Sequence, residues 1–539
     1  MTMRTRTDVL LLAGFCAFLF FYGNGQFGLI GADEPRYAQV AREMLDRRDW
    51  ITPTLGGDRW LEKPPLYYWQ AMLGYSVLGV SDLTARLPSA IDATLLVIAI
   101  YLFFRRFRLG VELDAALITA SCAGIIGYAR AASMDMALAA TFSIAMMAWW
   151  AWRETDSRRY LALSYFFLAL GMLAKGPVAP FLAVVILMLF AAATKEWRRV
   201  LRTFWLPGIF LFCVVALPWY FAVQLRNPEF FREFILQHNL ARFSSDLYHH
   251  RQPFWYYIPV TLLALVPWTI FVIAAFAERT RLWWRERNFP EPDAQLQFGV
   301  FAIFWFIVPV IFFSVSQSKL PGYILPAIPA ATVLLADYLR EHLQNGEAGA
   351  PVSKSLTVLH ALVAAAPIVP ALLVGYAVTE HRLPAGRPML IALAVAFVLC
   401  AAIALTLVTR SQLRMLRFIT LIPVVLSVAA VLKLGTAAID QKLSARPLAW
   451  ELANLETHRM PLAVYGVPRE VEYGLAFYRN QKIDHYEPGN IPKSEHLLVA
   501  PSTWKENVVK ETAGRHISFL THYAPQGLDC YWVSAEKKQ

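Results

Sequence analysis

The chain has 539 residues, 57% of them hydrophobic, and a formal charge of +11 from 50 Lys+Arg against 39 Asp+Glu. So apolar a composition, with recurrent runs of ~18 or more uncharged residues, excludes a soluble globular protein. Strict apolar/polar alternation is missing, which excludes a membrane barrel and leaves helices as the spanning element.

The expected fold is an α-helical polytopic membrane protein with about 13 transmembrane helices, interfacial helices in the first outer loop, and a small C-terminal α/β domain. Residues 1–439 hold 38 Lys+Arg and 27 Asp+Glu, whereas residues 440–539 hold 12 of each. The whole excess of positive charge therefore lies in the membrane part, where it reads as a topology signal; no basic stripe or module speaks for nucleic acid. Of five cysteines, Cys16, Cys122, Cys213 and Cys400 stand in apolar runs and Cys530 is alone in the polar tail, so no disulfide framework or metal spacing is present.

The first apolar run, from about Val9 to Ile30, follows only Arg4 and Arg6 and lacks a small-residue cleavage site. It reads as a retained span and not as a removed signal peptide. Next comes GADEPRYAQVAREML with Asp33, Glu34 and Arg36, then RWLEKPPLYYW with Glu62 and Lys63. These are five ionisable groups between two apolar segments, where charge is costly and tends to be functional. Tyr37, Val40, Ala41, Met44 and Leu45 recur at helical spacing, predicting an interfacial helix over residues 35–45 with Asp33 and Glu34 at its electropositive start. A simple helix cap would use the same two carboxylates. Residues 64–80, PPLYYWQAMLGYSVLGV, have the length of a short span. The Pro-Pro start and the Tyr67, Tyr68, Trp69 run suit the headgroup layer instead, so a second interfacial helix is predicted.

Basic clusters punctuate the remainder: Arg105, Arg106 and Arg108; Arg153, Arg158 and Arg159; Lys195, Arg198, Arg199 and Arg202; Arg279, Arg281, Arg285 and Arg287; Arg340 with Lys354; and Arg410, Arg414 and Arg417. Placing every cluster and the N-terminus in the cytoplasm requires two spans between neighbouring clusters. The apolar runs supply them, at about 9–30, 84–104, 111–128, 134–152, 160–174, 177–193, 203–222, 256–277, 298–315, 324–339, 356–377, 388–409 and 418–435. The outer side then receives a first loop (31–82), a second large loop (223–256) with His238, Arg242, Asp246, His249, His250 and Arg251, and the domain 440–539. In that domain PLAVYGV, HLLVAP, HISFLTHY and DCYWVSA read as strands, and RPLAWELANLE, REVEYGLAFYRN and STWKENVVKE as helices. It has no nucleotide-binding glycine loop and no nucleophile elbow, and its five histidines are scattered.

On this scheme one face collects the carboxylates Asp33, Glu34, Glu62 and Asp135 and the cations Arg36, Lys63, Arg130, Lys175 and Lys319, with Arg242 and Arg251 as further candidates. Loops at a membrane boundary suit a substrate with its charged head at the interface and its tail in lipid, such as a lipid-linked phosphate. A phosphate leaving a sugar gains negative charge as the bond breaks, so cations aimed at it favour the transition state over the ground state. A hydroxyl acceptor needs a carboxylate to take its proton, whereas a phosphate acceptor needs mainly positioning. Glu62, with His249, is a candidate pair of ligands for a divalent metal ion, although no HExxH or comparable spacing occurs. A lipid flippase would use the same cations and would also need charges at the midplane, where Asp92 is one candidate.

The DE pair after the first span, EKPPLYYW, AKGP between two later spans, and SKLPGYILP, ahead of an α/β tail, resemble the bacterial protein-mannosyltransferase-like family of polyprenol-dependent glycosyltransferases of the C fold. The likeness runs over essentially the whole chain and is strongest to the branch that places 4-amino-4-deoxy-L-arabinose on lipid A. The resemblance implies Asp33 as principal catalytic carboxylate, supported by Glu34 and Asp135, with Arg36 orienting the pair. It implies donor-phosphate and lipid contacts from Lys63, Arg36, Lys319, Tyr323 and Tyr67, with Arg251 a candidate, and Glu62 beside Lys63. Lys175 is equally readable as a lysine snorkelling at a span end. The implied reaction moves the aminosugar from undecaprenyl phosphate to a lipid A phosphate at the periplasmic face of the bacterial inner membrane, reducing attraction of cationic peptides such as polymyxin. A monomer is expected. Another sugar, or a protein acceptor, stays open.

Overall fold

The structure is a computed structural model that describes residues 3–234, 252–286, 294–344, 354–365, 416–486, 491–512 and 514–535. Helices come first. They are α1 (Met3–Cys16, continued as a π turn over Ala17–Phe21), α2 (Asp33–Asp46), α3 (Leu66–Leu78), α4 (Asp82–Phe107), α5 (Glu112–Ser121), α6 (Ala123–Ala129), α7 (Met134–Thr155), α8 (Arg158–Lys175), α9 (Val178–Thr194), α10 (Trp197–Leu201) and α11 (Leu206–Arg226). Then follow α12 (Tyr257–Ala264), α13 (Thr269–Glu286), α14 (Ala294–Val315), α15 (Ile328–Gln344), α16 (Lys354–Ala365), α17 (Leu416–Ala430) and α18 (Thr436–Leu443). By contact the chain forms two compact units, one of residues 1–22, 61–67 and 88–431, the other of residues 23–60, 68–87 and 432–539.

The first unit is the membrane part. Among the described residues five helices are long and apolar enough to cross a bilayer, and up to eight if each bent pair is one span. The chain is thus a multi-pass membrane protein. The expected spans at 388–409 and in most of 356–377 lie outside the described residues. The expected first span is shorter than read: its helical turns stop at Phe21, and residues 22–30 are turns and irregular chain. Residues 111–128 are also not one helix. They divide into α5 and α6, bent by 67° at Cys122, whose φ −65°, ψ 132° is extended.

A helix break in lipid must find partners for the backbone groups it frees. Here two breaks serve each other. The Ala123 N–H donates to the Val266 carbonyl at 2.8 Å, between α12 and α13, and Trp268 Nε1 donates to Ser121 Oγ at 2.8 Å. Gly124 permits the approach, since a Cβ there would lie 2.9 Å from Ala264 Cβ.

The interior of this unit is α7 and the segment Pro321–His342, whose apolar windows are 89% and 100% buried, against 22% for α11. Trp149 of α7 stacks on Phe301 of α14 at 5.3 Å, and Trp150 meets Phe298 edge-on at 5.0 Å. Any chemistry carried by α7 or by residues 321–342 is therefore held on the most enclosed elements.

The second unit is built on a five-stranded mixed sheet of β3 (Leu462–Val464), β4 (Ile483–His485), β5 (His496–Pro501), β6 (Ile517–Tyr523) and β7 (Leu528–Val533), in the order β4-β3-β5-β7-β6; β1 (Thr54–Leu55) and β2 (Asp58–Arg59) form a separate hairpin. Pairs β3–β4 and β3–β5 are parallel, β5–β7 and β6–β7 antiparallel. Central β5 is apolar on both faces: Leu497 and Val499 pack under α19 (Arg446–Leu455) and α20 (Arg469–Arg479), while Leu498 and Ala500 join Val508 of α21 (Lys505–Glu511). The four strands and the helices expected from 440–539 all form; β4, three residues in a polar stretch, was not anticipated.

The predicted first-loop helices also form. The α2 helix begins at Asp33 and buries Tyr37, Val40, Ala41 and Met44. The α3 helix starts after Pro64-Pro65, and its 13 residues reach only ~20 Å, short of the ~30 Å hydrocarbon core.

Candidate active site

In the membrane unit the motif AKGP is a helix stop. Lys175 is the last residue of α8, Gly176 takes φ +88°, and Pro177 caps α9. A glycine just past the helix end followed by proline terminates a helix, and the helix C-terminus favours a cation there. At the start of α7, Ser133 Oγ accepts the Asp135 N–H at 3.1 Å and donates to Asp135 Oδ2 at 2.8 Å. Asp135 and Lys175 form an ion pair, their side chains 18% and 12% exposed. The Lys175 ammonium also lies 4.2 Å above the Tyr323 ring, a cation–π contact. Tyr323 is buried in the 3₁₀ segment Pro321–Ala327. Beside it, Gly322 is required by close approach: a Cβ would stand 2.6 Å from Asp135 Oδ2 and 2.7 Å from Tyr128 Cε1. Lys63 is near enough for its charge to act on the Asp135 carboxylate. AKGP, KLPGY, EKPP and Asp135, dispersed in sequence, thus converge within one unit.

Other sequence-derived candidates of this unit lie around that cluster or away from it. Lys319 is buried, its Nζ donating to the carbonyls of Ser316 at 2.5 Å and Gln252 at 3.1 Å. Arg130 donates to the carbonyls of Leu19 and Tyr22 at 2.9 and 2.8 Å, holding the end of the first helix. Tyr67 is fully buried, and Glu62 and Lys63 are half-buried. Arg242, His249, His250 and Arg251 lie outside the described residues. Among the described residues no three His, Cys, Asp or Glu side chains converge as metal ligands.

In the second unit the DE pair divides. Asp33 is 48% exposed and paired with Arg36 one turn on; Arg36, 13% exposed, lies over the rings of Tyr37, Trp60 and Tyr473 at 5.0, 5.2 and 5.7 Å. Glu34 turns inward. Its carboxylate accepts Arg86 Nη2 at 2.6 Å, Arg86 Nε at 3.3 Å and the Ile30 N–H at 2.9 Å. Arg86 is fully buried and also donates to the carbonyls of Asn24, Phe27 and Gly28 at 2.7, 2.9 and 2.8 Å. All five guanidinium donors are used, so Arg86 pins both the chain entering α2 and the carboxylate next to Asp33. Sequence reasoning passed over Arg86. Its signal was an arginine at the head of an apolar run, which is costly unless paired.

The family profile described as dolichyl-phosphate-mannose-protein mannosyltransferase matches residues 7–232. Over 350 residues the chain is 31% identical to the undecaprenyl phosphate-alpha-4-amino-4-deoxy-L-arabinose arabinosyl transferase of Pseudomonas paraeruginosa, covering 64% of this chain and 61% of that one. The enzyme of the same name from Edwardsiella ictaluri is 30% identical over 323 residues, covering 59% and 56%. The match therefore spans about three-fifths of the length of these curated relatives. The crystal structure of ArnT from Cupriavidus metallidurans bound to undecaprenyl phosphate superposes with a TM-score of 0.75 at 23% identity, over 97% of both chains. The fold is that of ArnT. The apo form of ArnT superposes almost as well, with a TM-score of 0.73 at 22% identity over 98% of both chains. The ArnT fold agrees with the resemblance read from the DE pair, EKPP and KLPGY, over the membrane part and the C-terminal sheet alike.

Proposed function

We propose that this chain is an integral-membrane, polyprenyl-phosphate-dependent glycosyltransferase. It moves 4-amino-4-deoxy-L-arabinose from undecaprenyl phosphate to a lipid A phosphate at the periplasmic face of the inner membrane. The observation that carries the reading is the Asp135–Lys175–Tyr323 cluster with Lys63 beside it, Asp135 and Tyr323 standing on the two most enclosed segments of the membrane unit. Two lysines at one carboxylate form an anion-binding arrangement: a phosphate head can compete for Lys175 and meet Lys63 as its charge grows on departure from the sugar. Tyr323 presents an aromatic face to the same ammonium and walls the cluster.

Since a lipid A phosphate is already an anion, it needs orientation more than deprotonation. In this reading Asp33, on the resemblance, is the principal carboxylate, and Arg36 sets its rotamer through their ion pair. Glu34 acts through Arg86 as a positioning residue. On the sequence reading Glu62 would supply one ligand to a divalent metal ion and His249, which lies outside the described residues, another. Treatment with EDTA tests that pair: loss of turnover restored by added Mg²⁺ assigns the metal, and a rate unchanged within about twofold removes it.

The test is purified protein with radiolabelled lipid-linked aminosugar and lipid A, scored by mass spectrometry of the acceptor and by release of free undecaprenyl phosphate. Transfer is expected, and Lys63→Ala or Lys175→Ala should lower kcat by about 10²-fold or more, with a smaller change in donor affinity. Donor that crosses the bilayer without release of the carrier phosphate assigns the chain as a flippase. Product carrying the sugar on protein replaces the acceptor.

A further inference from the structure

An apolar cavity lies in the membrane unit, formed by α7 through α11. It measures about 370 Å³ and is lined by Met146, Trp149, Leu168, Ala183, Leu187 and Phe204 among others. That volume is within the ~300–1,000 Å³ of small-ligand sites. Several of its polar wall groups satisfy one another: Thr203 Oγ1 accepts Trp149 Nε1 at 3.0 Å, and the Thr203 carbonyl accepts Tyr165 Oη at 2.7 Å. Gly208 completes the closure, because a Cβ there would lie 2.4 Å from the Tyr165 ring. An apolar cavity of this kind does not hold water well and takes an apolar guest. Val184, Met188 and Phe204 line it and are themselves about half or more exposed, so the guest enters from the bilayer.

The rim says which lipid. The α10 helix turns Trp197, Val200 and Leu201 to the cavity while Arg198 and Arg202 are exposed. Exposed Arg158, in the first turn of α8, lies 5.5 Å over the Trp205 ring, and Lys195 is exposed just before α10. The neighbouring acids among the described residues are held by other cations: Asp156 by Arg199, Glu196 by Arg153 and Glu154 by Arg108. A positive rim with indole rings beside an apolar cavity complements an anionic headgroup on an acyl chain.

We propose that this cavity seats an acyl chain of an anionic phospholipid whose phosphate is met by Arg158, Arg198 and Arg202. The site is independent of the transferase reading and would stand if that reading failed. To test it, the full chain is reconstituted in nanodiscs of phosphatidylglycerol and phosphatidylethanolamine in equal amounts, and retained lipid is read by native mass spectrometry. The wild type is expected to keep phosphatidylglycerol in preference. The triple variant R158Q/R198Q/R202Q should lose that preference by about tenfold with an unchanged Tm. Ala183→Phe, which fills the cavity, should lose the retained lipid of either kind. Equal retention of the two lipids by the wild type, or an unchanged preference in the rim variant, overturns the proposal. So does displacement of the retained lipid by undecaprenyl phosphate at equimolar amounts, which would make the cavity a berth for the carrier's tail. If Ala183→Phe does not fold, the rim variant decides alone.

Discussion

Gly322 shows how one missing side chain shapes the cluster around Asp135. With a Cβ 2.6 Å from the Asp135 carboxylate, Gly322→Ala must displace either Asp135 or the 3₁₀ segment that carries Tyr323. A misplacement of this size is expected to lower kcat/KM for sugar transfer by about 10²-fold while the protein still elutes as folded material, measured in detergent with purified donor. Arg86 sets a different kind of test. Arg86→Lys retains the charge but cannot reproduce five donors in a fixed fork, and Arg86→Ala leaves Glu34 buried without its ion-pair partner. The alanine change is expected to cost about 3–5 kcal/mol, read by thermal unfolding, with the lysine change between it and wild type. The candidate residues were readable because charge in an apolar context is rare. What each does was not, since Asp33 and Glu34 are adjacent yet one is half exposed and the other buried. Only the partner across the fold, Arg86, distinguishes them.

At the scale of elements, periodicity and punctuation carried well wherever a local signal dominates. Pro64-Pro65 starts α3, Gly176-Pro177 ends α8, and the run HLLVAP becomes the central strand β5. Broken helices did not announce themselves. Residues 111–128 have the composition of a single span, and the break at Cys122 exists because the Val266 carbonyl is in place to accept the Ala123 N–H. That partner is far along the chain, so no local pattern encodes it. Gly124→Leu tests the pairing of the two breaks. Its side chain meets Ala264 and is expected to destabilise the membrane unit by about 1–3 kcal/mol, whereas Gly127→Leu, where a Cβ would meet nothing within 4 Å, is expected to be near neutral. Tm in the same detergent checks both.

At the scale of the whole molecule, two readouts follow from charge. Burial by itself would raise the carboxyl of Glu456; hydrogen bonds from Arg479 and the Met460 N–H, with the charges of Arg479 and Arg459, more than offset it and hold Glu456 below its ordinary value of 4.5. A group depressed in the folded state contributes stability that is present above its unfolded pKa and is lost as pH falls through the folded one. The Tm of the wild type is therefore expected to decline as pH drops below about 4.5. Glu456→Gln is expected to be less stable at neutral pH and to show a flatter acid limb in the same scan. Orientation is a second readout. Asp58→Cys in the first-loop hairpin is expected to react with an impermeant maleimide in intact cells, and Leu109→Cys, beside the first arginine cluster, only after permeabilisation. Both positions are exposed.

Length, hydropathy and the spacing of basic clusters were sufficient by themselves for a multi-pass helical membrane protein with a small α/β tail. Those features depend on local transfer free energy and on side-chain period, which each segment carries within itself. Motif residues marked where ionisable groups gather for the same reason. Tertiary structure alone decided that Lys175 answers Asp135 and that Arg86 answers Glu34. It likewise decided that Gly322 clears space for a carboxylate and that residues 23–60 and 68–87 share a unit with 432–539. Each of those outcomes is a contact between residues distant in the chain, and its energy exists only once the intervening segments have packed.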